Sequence, residues 1–375
     1  MKNNIRPWKY LDNASTTKIR EEVLKEMIPF FNEFYFNASS NHRGGRRAKA
    51  ALDDSRGVCA DLINASRDEI IFTSGSTESI NYVLKGYLEE NFEKGNHIIT
   101  CKTEHTAVLK TCEYLETKGV EVSYLDVNSN GLIDLKELER AIKSETALIA
   151  IMFANNETGV IQDIKAIGDI AHKYNIKFFC DATQAIGKVA IDVNKLGIDM
   201  LCMSAHKIDG PKGIGFLYVK NGINLTPLIH GGAQENNNRA GTYNIPLIVG
   251  LAKACEIAKN NLLEYQSYYK TLFNHIMDSI DEMDNIKLIG DGDSRLFNII
   301  NLKIKEFDAS IFVESSDDFA VSNGSACTSR IIEGSHVLKA MGLSDKDCNE
   351  CIRLSFNTSN TIIEIDEFLK KVINA

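Results

Sequence analysis

Short apolar runs alternate with helical patterns along the first two-thirds of the chain. The runs are rich in β-branched and aromatic residues, as buried strands are, and the segments between them carry apolar residues at helical spacing. The strand-like runs are EIIFTS, HIITCK, VEVSYLDV, TALIAIMFA, IKFFCDA, MLCMSA and GFLYVK, and IKAIGDIAHKY is a typical helical segment. This alternation predicts an α/β fold with a mainly parallel sheet. In such folds, ligands gather at the carboxyl ends of the strands.

The alternation stops at about residue 246. A long helical stretch, LIVGLAKACEIAKNNLLEYQSYYKTLFNHIMDSI, follows there, and the segment after this stretch is more mixed. We interpret the change as the start of a smaller C-terminal domain. We find no repeats, low-complexity tracts or long Pro/Gly linkers, so both parts are expected to fold as compact units.

The segment DVNSNGLIDLKE, residues 126–137, matches the calcium-loop pattern of the EF-hand at every specified position. Its candidate oxygen ligands are Asp126, Asn128, Asn130 and Glu137. An EF-hand loop follows a helix, whereas the preceding residues VEVSYLDV indicate a strand. We therefore predict a strand, an Asn/Gly turn and a helix, and keep a calcium-binding protein as a remote alternative.

Composition and charge narrow the function classes. Lys and Arg number 42 against 51 Asp and Glu, which gives a net charge of −9, so the chain has no general electrostatic attraction to nucleic acid. The N-terminal sequence MKNNIRPWKY lacks an apolar signal segment, and the longest apolar runs, such as ALIAIMFA, are too short to span a bilayer. We expect a cytoplasmic protein that binds neither membranes nor nucleic acid directly.

The chain contains nine cysteines, and this odd number argues against a complete disulfide framework. Several lie singly in apolar strands, where cysteine behaves as a small hydrophobic residue. Cys348 and Cys351 form a CxxC pair, but a zinc site needs four ligands and no second pair stands nearby. We therefore predict no metal site.

Polar residues follow several of the predicted strands. EIIFTSGSTES runs from a strand through Gly75 into a helix, so its free N–H groups and helix dipole suit a phosphate. Asp181 follows the strand KFFCDA, and Lys207 follows MLCMSA. A lysine at this position is either a salt-bridged structural residue or the site of a Schiff base with pyridoxal phosphate, with Asp181 at the pyridinium nitrogen. These residues alone leave both readings open.

A set of motifs in register resembles the cysteine desulfurases, pyridoxal-phosphate enzymes of the class V aminotransferase group. The motifs are TSGSTESIN, TEHTAV, NNETGVIQ, DATQAIG, SAHKIDGPKGIG, GTYNIP, GSACTS and IRLSF, and the resemblance extends from about Tyr10 to about Ile365. It implies the aspartate-aminotransferase fold, with a large pyridoxal-phosphate domain at residues 15–250. The smaller α+β domain would combine residues 1–14 with residues 251–375 and carry a catalytic cysteine loop.

The resemblance also implies roles for residues around the cofactor ring. Lys207 would hold pyridoxal phosphate covalently and shuttle the α-proton of the substrate, while Asp181 would keep the ring nitrogen protonated. His105 would stack on the ring and help to move protons, although a histidine after a strand is often a capping or core residue. Gln184 would donate a hydrogen bond to the phenolic oxygen of the ring.

Further positions are implied for the phosphate and for the substrate. Asn156 and Arg353 would bind the carboxylate of L-cysteine, the arginine through a two-pronged ion pair. Without the resemblance, a turn cap for Asn156 and a surface salt bridge for Arg353 remain open. Thr242 would reach the phosphate from the other subunit, which implies a homodimer. The phosphate ligands within one chain would be Ser76, Thr77, Ser204 and His206.

Cys327 lies in VSNGSACTSR, among small residues that suit an exposed or mobile loop. From the sequence alone it is either an inert cysteine or a reactive one. By resemblance, its thiolate attacks the sulfur of cofactor-bound cysteine, keeps it as a persulfide and leaves L-alanine. The sulfur would then pass to an acceptor protein that serves iron–sulfur cluster assembly or nucleic-acid thiolation. Another class V pyridoxal-phosphate enzyme, such as an aminotransferase or a selenocysteine lyase, is the alternative.

The chain departs from the usual sequence of the family in several loops. Ala38 stands where proline is common, Asn236–Asn238 replace a basic residue and glycine, and Asn357–Thr361 replace a Gly-Arg pair. None of these changes removes a residue with a predicted catalytic role. They concern loop conformation and the choice of sulfur acceptor.

Overall fold

The computed structural model describes residues 8–323 and 334–373. Its largest element is a seven-stranded sheet of short strands, which are mostly buried except for the edge strand Glu121–Leu125. The strands of this sheet are β2 (Ile70–Thr73), β3 (His97–Cys101), β4 (Glu121–Leu125), β5 (Thr146–Ala150), β6 (Lys177–Asp181), β7 (Met200–Ser204) and β8 (Gly215–Val219).

The strand order is β2-β8-β7-β6-β5-β3-β4. All neighbouring pairs from β7 to β4 are parallel, whereas β8 is antiparallel to both β7 and β2. Only residues 205–214 separate β7 from β8, and a parallel crossover normally needs a dozen or more residues. The predicted α/β fold with a mainly parallel sheet is confirmed. Strands β2 to β7 consequently end at one edge of the sheet.

Helices cover both faces of this sheet. Ile99 and Phe178 belong to the hydrophobic cluster that includes helices α3 (Arg43–Leu62) and α9 (Ile245–Asn260). Their chain neighbours Ile98 and Phe179 belong to the cluster that includes α4 (Ser76–Glu90) and α5 (Thr106–Glu116). This alternation follows from the two-residue period of strands. The α-helices between residues 21 and 260 are α1 (Glu21–Met27), α2 (Pro29–Asn32), α3 (Arg43–Leu62), α4 (Ser76–Glu90), α5 (Thr106–Glu116), α6 (Leu135–Ala141), α7 (Ile164–Lys173), α8 (Val193–Leu196) and α9 (Ile245–Asn260).

The C-terminal part has its own hydrophobic cluster, which also contains Leu11. It is built on a three-stranded antiparallel sheet in the order β12 (Cys351–Ser355), β10 (Ile299–Ile304) and β9 (Ile286–Ile289). A separate parallel pair joins β1 (Lys9–Tyr10) to β11 (Phe319–Ala320). Its elements are β1 (Lys9–Tyr10), α10 (Leu262–Ile280), β9 (Ile286–Ile289), β10 (Ile299–Ile304), α11 (Ala309–Ser315), β11 (Phe319–Ala320), α12 (His336–Ala340), α13 (Asp345–Asn349), β12 (Cys351–Ser355) and α14 (Ile362–Ile373). The division at residue 250 stays a prediction.

The long helical stretch after residue 246 is two helices rather than one. Asn261 lies between α9 and α10 with φ −109° and ψ 10°, outside the helical range. Its side-chain Nδ2 donates to the Ile257 carbonyl at 2.8 Å. An asparagine side chain that bonds nearby backbone competes with helix continuation, which accounts for the break.

The calcium-loop match is a strand–turn–helix connection. Asn128 Oδ1 accepts from the backbone N–H groups of Asn130 and Leu132, at 2.9 and 3.1 Å. The carboxylate of Asp126 forms an ion pair with Lys102, and that of Glu137 forms one with Arg140. The oxygens that would coordinate calcium are therefore engaged elsewhere, and helix α6 begins after this turn. The EF-hand reading is wrong.

The cysteines of the described ranges are all free and buried. Burial raises the pKa of the Cys351 thiol to about 12, so this thiol stays protonated at neutral pH. Within residues 8–323 and 334–373, no group of three or more His, Cys, Asp or Glu side chains is arranged to hold a metal ion. None of the helices described in these ranges combines the length and apolar character that a membrane crossing requires.

Candidate active site

A cavity of about 660 Å³ opens at the edge where β2 to β7 end. Side chains that follow parallel strands meet there because those strands share one direction. Its volume lies within the range of small-molecule sites. The sequence-predicted residues that line it are Ser76, Thr77, His105, Asn156, Asp181, Gln184, Ser204, His206, Lys207 and Arg353.

Hydroxyl groups surround the N-terminus of α4, at one end of this cavity. Gly75 precedes the helix at φ 144°, and a Cβ atom there would lie 3.1 Å from Ser204 Oγ, so this position requires glycine. The Ser76 N–H donates to Ser204 Oγ at 2.8 Å, and Ser76 Oγ lies 2.6 Å from Thr183 Oγ1. Hydroxyls at the positive end of a helix dipole form a site that favours an anion such as phosphate.

His206 lies on the same side, where an adjoining cavity of about 350 Å³ is lined by Ser76, Thr77 and Lys212. Its Nδ1 is 3.1 Å from Thr16 Oγ1. Burial, together with the charges of nearby lysines, lowers the pKa of His206 to about 4. The ring is therefore neutral at physiological pH, in surroundings whose positive charge attracts anions.

Lys207 ends the short 3₁₀ turn that follows β7. Its Nζ donates to the carbonyl oxygens of Ala14 and Ser15, at 2.6 and 2.8 Å. These two contacts hold the amine at the cavity wall through backbone groups. An amine held in this way is available for a covalent linkage to a carbonyl group.

Asp181 is the last residue of β6 and is 6% exposed. Its Oδ1 accepts from the Thr183 N–H at 2.9 Å and from the Thr183 hydroxyl, and Cys202 Sγ lies 3.5 Å away. Hydrogen bonds from two groups of Thr183 fix the orientation of the carboxylate. A fixed carboxylate in a buried site can pair with a protonated ring nitrogen.

His105 precedes α5 and caps it, since its Nδ1 accepts from the Ala107 N–H at 3.1 Å. In the neutral ring the proton is therefore on Nε2. Burial lowers the pKa of His105, with Lys207 and His336 adding to this effect and Asp181 opposing it. A neutral imidazole with a defined tautomer can both stack on a ring and exchange a proton. His105 thus combines the capping role with a place in the cavity.

Arg353 lies in β12, far along the chain from the other lining residues, and is 4% exposed. Its Nη1 donates to the backbone oxygen of Asn156 at 2.9 Å. The guanidinium is buried in the cavity wall rather than placed in a surface salt bridge. It can therefore bind an anionic substrate group through charge-assisted hydrogen bonds.

One predicted residue of the described ranges stands apart from this cavity. Thr242 is exposed and lines a separate cavity of about 240 Å³ with Ser74 and Gly213. The loop before it contains Glu235 and Asn236 at positive φ, and Glu235 forms a buried bidentate ion pair with Arg56. Cys327 lies outside the described residues.

The cavity also contains residues that the sequence did not single out. Glu157 and Ser335 share a hydrogen bond of 2.5 Å, and burial raises the pKa of the Glu157 carboxyl. The His336 Nε2 donates to the Glu104 carbonyl at 2.9 Å. Glu157 lies in the motif NNETGVIQ, so that motif could have pointed to it. Asp12, Ser15 and Thr183 also line the cavity and were not singled out from the sequence.

Comparisons with known proteins agree with this architecture. The family model of class V aminotransferases matches residues 9–368. The chain is 43% identical to the cysteine desulfurase IscS of Methanosarcina thermophila over 97% of this chain and 90% of that protein.

Solved structures are similar as well. A NifS-like protein superimposes with a TM-score of 0.91 at 37% identity, covering 97% of this chain and 98% of that one. The structure described as SspA in complex with cysteine gives a TM-score of 0.85 at 37% identity and covers 93% of this chain and 99% of that one. The chain belongs to the class V aminotransferase family and, within it, to the cysteine desulfurases.

Proposed function

We propose that this protein uses pyridoxal phosphate to remove the sulfur of L-cysteine, releases L-alanine and holds the sulfur as a persulfide on Cys327. The observation that carries the proposal is the meeting of Lys207, Asp181 and Arg353 in one cavity, beside the hydroxyls of α4. An amine, a carboxylate, a guanidinium and an anion site are the groups that an amino acid and a phosphorylated aldehyde cofactor require.

The residues present fit the cofactor. Ser76, Ser204 and His206 would hold the phosphate, and the glycine at position 75 leaves room for a close approach to the backbone. Asp181 would pair with the ring nitrogen, and Lys207 would provide the covalent attachment. Pyridoxal phosphate, when bound, supplies an electron sink for the bonds around the substrate α-carbon. His105 would stack on the ring, and Gln184 would donate a hydrogen bond to its phenolic oxygen.

The remaining groups act on the substrate. Arg353 and Asn156 would orient the carboxylate of L-cysteine, and the amine of Lys207 would take and return the α-proton. The Cys327 thiolate then attacks the substrate sulfur, so that an S–S bond forms while the C–S bond breaks. The electron pair of the C–S bond stays on carbon, which a proton converts to the methyl group of alanine. The persulfide is the form in which sulfur reaches an acceptor protein.

We also propose a homodimer in which Thr242 completes the phosphate site of the partner. In one chain, Thr242 lines a neighbouring cavity rather than the one with Lys207. Thr242 is an exposed residue of the single chain, so a second copy can contact it. Light scattering of the purified protein tests the dimer, and Thr242→Val should weaken pyridoxal-phosphate binding while leaving the fold intact.

Two variants test the proposed reaction. Cys327→Ser should bind pyridoxal phosphate normally and still change its spectrum with L-cysteine, because the thiol has no part in either event. Alanine formation should fall by at least about a hundredfold, since a serine hydroxyl cannot form a persulfide. Lys207→Ala should lose the covalent linkage, as borohydride reduction and peptide mapping would show. Near-normal alanine production by Cys327→Ser would instead indicate a lyase.

A further inference from the structure

A second lysine is buried next to the candidate active site. Lys188 lies in the turn after β6 and is 8% exposed. Its Nζ donates to Gln184 Oε1 at 3.2 Å. Burial lowers the pKa of Lys188 to about 7, with the charge of Lys207 adding to this effect and that of Asp209 opposing it. Burying an amine costs free energy unless it is hydrogen-bonded, and the bond to Gln184 offsets part of that cost.

The amide of Gln184 is held from both ends. On its other side, Gln184 Nε2 donates to the Ala14 carbonyl at 2.9 Å, and Lys207 Nζ donates to the same oxygen at 2.6 Å. The Ala14 carbonyl can only accept, so it requires the Nε2 donor on its side, and the charged form of the Lys188 amine can only donate, so it requires the Oε1 acceptor. The two partners together favour one orientation, with Oε1 towards Lys188 and Nε2 towards Ala14. Gln184 also lines the cavity that contains Lys207.

We propose that Lys188 is a positioning residue that fixes the Gln184 amide with its Nε2 donor, rather than its Oε1 acceptor, on the side of Ala14 and the cofactor. This inference rests on the proposed function. A flipped amide would place its oxygen against the phenolic oxygen of pyridoxal phosphate, so two acceptors would meet and a hydrogen bond would be lost. Lys188 thereby acts on the cofactor through Gln184 without contacting it.

The visible absorbance of bound pyridoxal phosphate provides a readout that does not depend on turnover. A hydrogen bond from Gln184 to the phenolic oxygen favours its negative charge, so losing this bond raises the pH midpoint at which the absorbance changes. In Lys188→Met, which keeps side-chain length but has no donor, we expect a rise of roughly half to one pH unit, the equivalent of one neutral hydrogen bond. Gln184→Leu should show a similar rise.

The double variant Lys188→Met/Gln184→Leu separates the effect of Lys188 on the orientation of the Gln184 amide from the effect of its charge. Removing the positive charge of Lys188 would by itself raise the midpoint, because Lys188 and Lys207 repel each other. If Lys188 acts through Gln184, the rise caused by Lys188→Met should be smaller in the Gln184→Leu background, where only the effect of the lost charge remains. An equal rise in both backgrounds, or no rise in either, would overturn the proposal. Lys195→Met, at a lysine whose side chain is 84% exposed, is the matched control and should leave the midpoint unchanged.

Two further results keep the experiment decisive. If Lys188→Met does not fold, Lys188→Arg replaces it: this variant retains a donor, so its midpoint should stay at the wild-type value. A midpoint raised as far as in Gln184→Leu would contradict the inference.

A wild-type protein that shows no visible band with pyridoxal phosphate would overturn the proposed function and this inference together. A normal wild-type band with no effect of Lys188 would overturn the inference alone.

Discussion

The Nη2 atom of Arg353 lies 2.6 Å from the Asp12 carboxylate and 2.7 Å from Ser15 Oγ. Since the guanidinium is 4% exposed, Asp12 compensates a charge that would otherwise be buried alone. Within the described residues, the Nε of Arg353 has no hydrogen-bond partner. A substrate carboxylate that reaches Arg353 would therefore compete with Asp12 for the same positive charge.

Asp12→Asn should consequently lower the KM for L-cysteine. The asparagine keeps the size of the side chain but removes the competing charge, and we expect a decrease of about fivefold, equivalent to roughly 1 kcal/mol. The melting temperature should also fall, because a buried arginine then lacks its anionic partner. Steady-state kinetics and thermal unfolding measure the two effects. Ser15→Ala is the control, because it removes an uncharged hydrogen-bond partner of Arg353. A raised KM in Asp12→Asn would contradict the prediction and show that Asp12 positions Arg353 for the substrate.

Gly75→Ala should weaken pyridoxal-phosphate binding and the fold together. Alanine is strained at φ 144°, and its Cβ would lie 3.1 Å from Ser204 Oγ. Such strain costs about 1–3 kcal/mol, which corresponds to a loss of affinity of roughly 5-fold to 150-fold if it displaces the hydroxyls of the site. Titration of apoprotein with pyridoxal phosphate measures the affinity. The control is Gly292→Ala, where an added Cβ has no atom within 4 Å; equal affinities for both variants would contradict the role of Gly75.

Glu104→Gln should become more stable than the wild type as pH rises. Burial raises the pKa of Glu104 well above its ordinary value, while its Oε1 accepts from the Met152 N–H at 2.6 Å. Above about pH 4.3 the unfolded chain releases this proton and the folded chain keeps it, so wild-type stability declines by about 1.4 kcal/mol for each pH unit until the folded pKa is reached. Glutamine keeps an acceptor and does not titrate.

The readout is the difference in melting temperature between Glu104→Gln and wild type from pH 4.5 to pH 8. It should increase with pH, because only the wild-type group is linked to protons. The exposed Glu113 offers a matched control, since Glu113→Gln should give a difference that does not vary with pH in this way. If the difference in melting temperature varies with pH in the same way for Glu104→Gln and Glu113→Gln, Glu104 is ionised in the folded protein and the prediction is wrong.

Millimolar calcium should leave the melting temperature unchanged. A ligand that does not bind the folded state cannot stabilise it, and the side chains of Asp126, Asn128 and Glu137 are engaged by Lys102, the turn backbone and Arg140. Thermal unfolding with calcium and with excess chelator makes the comparison. A calcium-dependent rise that disappears in Glu137→Gln would restore the calcium-site hypothesis.

Several features of this protein follow from the sequence by itself. Apolar runs of strand length between helical segments predict the α/β sheet, since the period of apolar residues reports which faces are buried. The positions of Asp181 and Lys207 directly after such runs predict that they share one edge, because parallel strands end together. The motifs around them also identify the family. These are local signals, and each can be read within a short window of the chain.

Other features were decided by the tertiary structure. The partnership of Arg353 with Asp12 joins two ends of the chain, and the strand order places β8 between β2 and β7. The orientation that Lys188 imposes on Gln184 also depends on Ala14, far away in sequence. No local pattern encodes such contacts, because they arise only when separate elements pack and each buried polar group must find a partner among the residues brought near it.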